Sequence, residues 1–171
     1  MKGFTVLSKE TQNWFEEEGM RYRGLGAGPQ WAPEHYNLHA ETFFVIARLE
    51  DEETFTHTLE DAIEVREAHR SVFPGDTFEI VYAADEHEPA DQLEEVAGNP
   101  LLGYDVCTGA PFYSAAAEFL YLVEGVESQL NDRGLFVDER SARDFLERVR
   151  EEAEAEYGLM FVWRVWAVPG Q

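Results

Sequence analysis

Two stretches of the chain are apolar almost throughout, and both are short. LLGYDVC (Leu101–Cys107) and LMFVWRVWAV (Leu159–Val168) have the length and punctuation of strands buried in a sheet. TFEIVYAA (Thr77–Ala84) places Phe78, Ile80 and Tyr82 on one side and Glu79 on the other. HAETFFVIARLE (His39–Glu50) mixes β-branched and aromatic residues with partial alternation, and the pattern predicts a further strand there.

Helical spacing takes over between these runs. Thr58 is placed to cap a helix through Val72 whose inner face carries Leu59, Ala62, Ile63, Arg66, His69 and Phe73. Pro74-Gly75-Asp76 stops it. Ser114 can cap a helix over 114–130 with Ala116, Phe119, Leu120, Val123, Val126 and Leu130 inward. Gly125 within that pattern predicts a close packing contact. Asp138 caps the last helix, through Tyr157, with Ala142, Phe145, Leu146, Val149 and Ala153 as its apolar stripe. Its outer surface is laced with acid–arginine pairs at i,i+4, such as Glu139–Arg143 and Arg140–Asp144. Shorter helices are predicted over Lys9–Gly19, capped by Ser8, and over Asp91–Ala97.

These elements predict one α+β domain over residues 1–171. Its mixed or mostly antiparallel sheet has strands at about 41–49, 77–83, 101–107 and 159–168, covered by helices 58–72, 114–130 and 139–157. Residues 1–35, a short helix followed by the Gly/Pro-rich loop RYRGLGAGPQWAP (Arg21–Pro33), are expected to pack on it. The expected core contains Phe44, Ile46, Phe78, Ile80, Leu102, Tyr104, Phe119, Phe145, Phe161 and Trp163. An internal echo runs through this order. A helix with a glycine near its end and then an aromatic strand occurs over Thr58–Ala84 and again over Asp138–Val168; a duplicated helix–strand unit would produce it, and the common grammar of helix–strand chains explains it as well.

Charge changes the picture more than size does. Thirty-five acids face thirteen bases, a net charge of −22. Such a field repels nucleic-acid phosphates and anionic lipid and favours basic partners. One cysteine rules out an internal disulfide and suits a reducing cytoplasm. The first residues lack the apolar core of a secretion signal, and no apolar run has the length of a membrane span. A cytoplasmic protein is expected.

Candidate chemistry is sparse. Cys107 ends a strand ahead of a turn, a position that could expose a nucleophile, although a lone cysteine there is ordinarily a small core residue. The histidines, His35, His39, His57, His69 and His87, follow no metal-binding spacing, and no metal or cofactor is expected. The glycines Gly24, Gly26 and Gly28 lack the spacing of a dinucleotide loop and the Lys-Ser/Thr of a phosphate loop. Asp105 and Arg164 each carry a charge inside a buried-looking strand, so they are expected either to pair or to line a cleft with Tyr104.

GYDV (Gly103–Val106), NDRGLF (Asn131–Phe136), a helix and an aromatic closing strand together resemble small bacterial cytoplasmic proteins. Some acidic single-domain proteins of that kind are immunity partners of secreted toxins. The resemblance covers the C-terminal seventy residues or so and carries no functional residues with it. Together with the charge it implies a non-enzymatic module that binds a basic protein. The acidic contact surface would be Glu50, Asp51, Glu52 and Glu53 with Asp85, Glu86, Glu88, Asp91, Glu94 and Glu95. Trp31 and Tyr36 are candidate aromatic anchors. The alternatives are an enzyme or small-ligand binder with a cleft at Asp105, and a DNA mimic. The arginines interleaved with acids on the last helix would spoil the phosphate-like rows that a DNA mimic needs.

Overall fold

The computed structural model describes residues 2–9, 36–37, 56–72, 77–89, 91, 93–108, 115, 119, 122–131 and 133–170. Five antiparallel strands form one sheet in the order β2-β1-β3-β5-β4. They are β1 (Lys2–Lys9), the two-residue β2 (Tyr36–Asn37), β3 (Thr77–Asp85), β4 (Leu101–Thr108) and β5 (Met160–Ala167). Among the described residues two α-helices accompany it, α1 (Leu59–Val72) and α2 (Glu139–Tyr157).

Both helices lie on the same face. α1 packs with Phe4 and Val6 of β1, Phe78, Ile80, Tyr82 and Ala84 of β3, and Trp166 of β5. Phe145, Leu146 and Val149 of α2 join Val106 of β4 and Met160 and Val162 of β5. The opposite face is closed too: Thr5, Val81, Ala83, Asp105, Cys107, Trp163 and Val165 are all fully buried. The central strands β3 and β5 are therefore sealed on both faces, which explains why β5 reads as an apolar run and not as an alternation.

The helix starts follow their caps. Thr58 Oγ1 accepts the Asp61 N–H at 3.1 Å, and Asp138 accepts the Ser141 N–H at 2.8 Å. Of the expected core, Phe78, Ile80, Phe119, Phe145 and Trp163 are buried, and Leu102, Tyr104 and Phe161 pack half-buried against the clusters. Phe44, Ile46 and the expected strand at 41–49 lie outside the described residues.

Four expectations are corrected. Ser8 and Lys9 do not start a helix: both lie in β1, paired with Phe78 and Thr77, while residues 10–19 are outside the described set. The Gly3-Phe4-Thr5-Val6 run favours an extended chain over the polar cap signal that follows it. The segment before Asn131 is not helical to residue 130. From Leu122 it runs through turns, with a 3₁₀ turn at Val126–Gln129. Gly125 supplies the reason, since its φ of 76° ends any right-handed helix, and a Cβ there would meet nothing within 4 Å. It serves a turn and makes no close contact. The helix expected at 91–97 is a 3₁₀ turn, Glu94–Val96, that seats Leu93 and Val96 in the α1 cluster. Leu102 stands apart from the face of Tyr104 and Val106. The register shifts between Leu101 and Gly103, a bulge that turns Leu102 toward Cys107 and Trp163.

Gly103 makes that bulge possible. Its φ is 152°, and a Cβ would stand 2.7 Å from the Phe136 carbonyl oxygen and 2.8 Å from the Leu135 Cβ. Phe136 exchanges both backbone hydrogen bonds with Tyr104, at 2.9 and 2.7 Å, so the strand before α2 cannot move aside. Gly103→Ala is expected to cost about 2–5 kcal/mol from strain and overpacking together, read as a lowered urea midpoint with an unchanged slope.

Candidate functional site

Of the three residues that the sequence groups as a site, the sheet separates Asp105 from Tyr104 and Arg164. Arg164 is the register partner of Tyr104, and both point to the helical face. Asp105 faces Trp163 on the other side. Adjacent strand residues point oppositely, so an Asp105–Arg164 ion pair would need a slip of one residue.

Asp105 is fully buried and is held by its own strand. Its carboxylate accepts the Val106 N–H at 2.8 Å and the Cys107 thiol proton. Cys107 is likewise sealed. Burial first, and then the Asp105 carboxylate, push its thiol well above its ordinary value. A thiol held protonated away from solvent is no nucleophile, and the two side chains act as a polar stitch inside the second face.

Arg164 finds backbone partners. Its guanidinium donates to the carbonyls of Asp85, at 3.1 Å, and Glu88, and lies 5.5 Å over the Trp166 ring. It therefore folds the chain leaving β3 back over the sheet. The acids of this turn are engaged as well. Asp85 is 5% exposed and accepts the His87 N–H at 2.9 Å. Glu86 meets Arg143 at 2.6 Å and accepts the Val162 N–H, and Glu88 lies 4.0 Å from Lys2. Arg143 also reaches Glu139 at 2.7 Å, so one guanidinium bridges α2 to the β3 turn. Tyr104 sits beside this group, where burial, Glu139 and Asp138 raise its phenol against the opposing pull of Arg164.

The result is an ion network at the end of β3 whose charges largely answer one another. Of the acidic surface expected from the sequence, Asp85, Glu86 and Glu88 belong to this network, and among the residues whose side chains are described Asp91 and Glu94 are exposed outside it. Glu95 lies in the 3₁₀ turn. Trp31 and Glu50, Asp51, Glu52 and Glu53 lie outside the described residues, and Tyr36 is described only as a β2 backbone position paired with Lys9. His57 and His87 are exposed, and His87 stands edge-on to Phe161 at 5.3 Å. Among the described residues no group of three or more His, Cys, Asp or Glu is arranged to hold a metal ion. No described helix is long and apolar enough to cross a membrane.

Sequence reasoning found Arg143 only as a local i,i+4 partner. Its contact with Glu86, fifty-seven residues away, follows from sheet topology and has no local signature. Asn131 likewise has a long-range role with no local signature. It accepts the Arg133 and Leu135 N–H groups and donates to the Leu102 carbonyl at 2.8 Å, tying its turn to β4. No family model matches this chain, and neither a curated protein nor a solved structure matches it significantly.

Two outcomes follow from this geometry. Asp105→Ala leaves the Val106 N–H and the Cys107 thiol without their acceptor, and is expected to cost about 1–3 kcal/mol in a urea melt, more than Asp105→Asn. Glu86 supplies a pH test. Burial raises its carboxyl, but the Arg143 hydrogen bond, the Val162 N–H and the charges of Arg143 and His87 outweigh burial and hold it below the ordinary range. Its stabilising contribution is thus full above the unfolded glutamate value and is lost as pH falls through the lowered folded value. Glu86→Gln should flatten that part of the acid limb of stability against pH.

Proposed function

We propose that this chain is a non-enzymatic acidic module that binds a basic protein in the cytoplasm, in the manner of an immunity protein or antitoxin. The observation that carries the reading is where the unanswered acids stand. Glu60 and Glu64 are exposed on α1, and Glu147, Glu151, Glu152 and Glu156 on α2, whereas Glu67 meets Arg66 and Arg70, Asp144 meets Arg140 and Asp61 accepts from Thr58. Both helices lie on one face of the sheet, so their acids form a single negative surface. The last turn of α2 carries no base, although cations are the charges that the helix dipole favours there. Acids kept against that local preference support a role for them outside the fold.

The contact surface is therefore assigned to the helical layer, with the turn Asp85–Glu88 as its support. Steering by this field makes association with a cationic partner fast and salt-sensitive. The burial of Asp105 and the protonated state of Cys107 give no support to a reaction at that strand.

The reading is tested by capture from the native host with neighbouring gene products expressed, alongside a metabolite screen by thermal shift. A basic protein retained at low salt, released at high salt, and no longer retained by the Glu147→Lys/Glu151→Lys/Glu152→Lys variant is the expected result. These exposed substitutions should change stability by no more than about 0.5 kcal/mol each. A small molecule that raises the melting temperature with no basic protein captured would overturn the proposal.

A further inference from the structure

The two halves of the chain repeat one another in detail. β1 and β4 each open a half, and both contain glycine, an aromatic residue, a polar residue and valine: Gly3-Phe4-Thr5-Val6 and Gly103-Tyr104-Asp105-Val106. The aromatic residue makes the same contact in each. Phe4 exchanges both backbone hydrogen bonds with Thr56, at 3.0 and 2.8 Å, as Tyr104 does with Phe136. Two residues after each bridge comes the helix cap, Thr58 or Asp138. Each cap accepts the N–H three positions on and bonds the side chain of that same residue, Asp61 or Ser141. The following position is a fully buried alanine in both helices, Ala62 and Ala142. Each helix then leads to a strand antiparallel to the first, so that Phe4 opposes Tyr82 and Tyr104 opposes Arg164.

These correspondences close on a single axis. Matching Tyr82 to Arg164 matches Ala83 to Val165, and those two residues are direct partners across the β3–β5 pair. The row through them reads Gly3, Ala83, Val165, Gly103, with glycine at both ends and an apolar residue, Ala83 or Val165, inside each. A two-fold axis normal to the sheet must leave both helices on one face, and both are there. We infer that the chain is a fused pair of β-loop-α-β units, and that the β3–β5 seam is the interface at which one unit meets its second copy.

At three matched positions one half carries a charge and the other does not. Asp105 stands where the first half has Thr5, Arg164 where it has Tyr82, and Arg66 stands where the second half has Leu146, all buried or half-buried. The residues that sequence reasoning selected as a site are thus positions at which the two units have diverged.

The seam makes the order of the units interchangeable. The connection over residues 86–100 joins the end of β3 to the start of β4, and the axis makes the gap from the end of β5 to the start of β1 its equivalent. A circular permutant containing every residue, opened between Gly98 and Asn99, is therefore compared with one opened at Gly158. In both, Gln171 is joined to Met1 by a Gly/Ser linker that completes the length of residues 86–100. The first keeps each unit whole, and the second parts β5 from α2. The first permutant is expected to melt cooperatively within about 5 °C of the parent, with the same amides of β1, β3, β4 and β5 protected from exchange, while the second loses far more. Equal losses in the two permutants, or a greater loss in the first, would overturn the inference.

Discussion

The structure depends on the antiparallel pairing of β3 with β5. Every other element reaches the core through one of these strands: β1 and α1 through β3, and β4 and α2 through β5. Because both faces of the pair are closed, neither strand can place an unanswered polar side chain at the centre. Val81, Tyr82, Ala83, Ala84, Trp163 and Val165 fill it accordingly, all at or below 2% exposure. The small side chains at the crossing row let the covering layers approach, and the larger Tyr82 and Trp163 flank it on opposite faces. Non-directional burial supplies the driving force, and the hydrogen-bond ladder sets which residues meet.

Charge in such a sheet is admitted only where the backbone answers it. Asp105 survives full burial because a strand N–H and a thiol donate to it, and Arg164 survives half-burial because two carbonyls accept from it. Arg133 does similar work at the far end, meeting both Glu79 oxygens at 3.1 and 3.2 Å while its turn is held by Asn131. Inside the fold, polar groups serve to fix chain direction.

That division bears on function. Internal acids are matched with donors, whereas the outward faces of the two helices keep an acidic surplus on one side of the sheet. On the proposed reading, a field of this kind selects partners by charge and places recognition on the exposed helical layer. The pseudo-two-fold arrangement adds that the helical layer is built from two related surfaces whose charged residues differ.

The sequence alone determined the helix and strand spans that rest on local chemistry. α1, α2, β3, β4 and β5 all fall within two residues of their predicted limits, because caps, glycines and apolar period act over a few neighbours. The sequence did not reveal β1, whose polar end imitates a helix start, or the turns around Gly125, where a positive φ overrides an apolar helical spacing. The partners of Asp105, Arg164 and Glu86 were decided only by tertiary structure. They depend on strand register, on one bulge at Gly103 and on the order of strands, which bring residues tens of positions apart into contact and leave no mark in the local pattern.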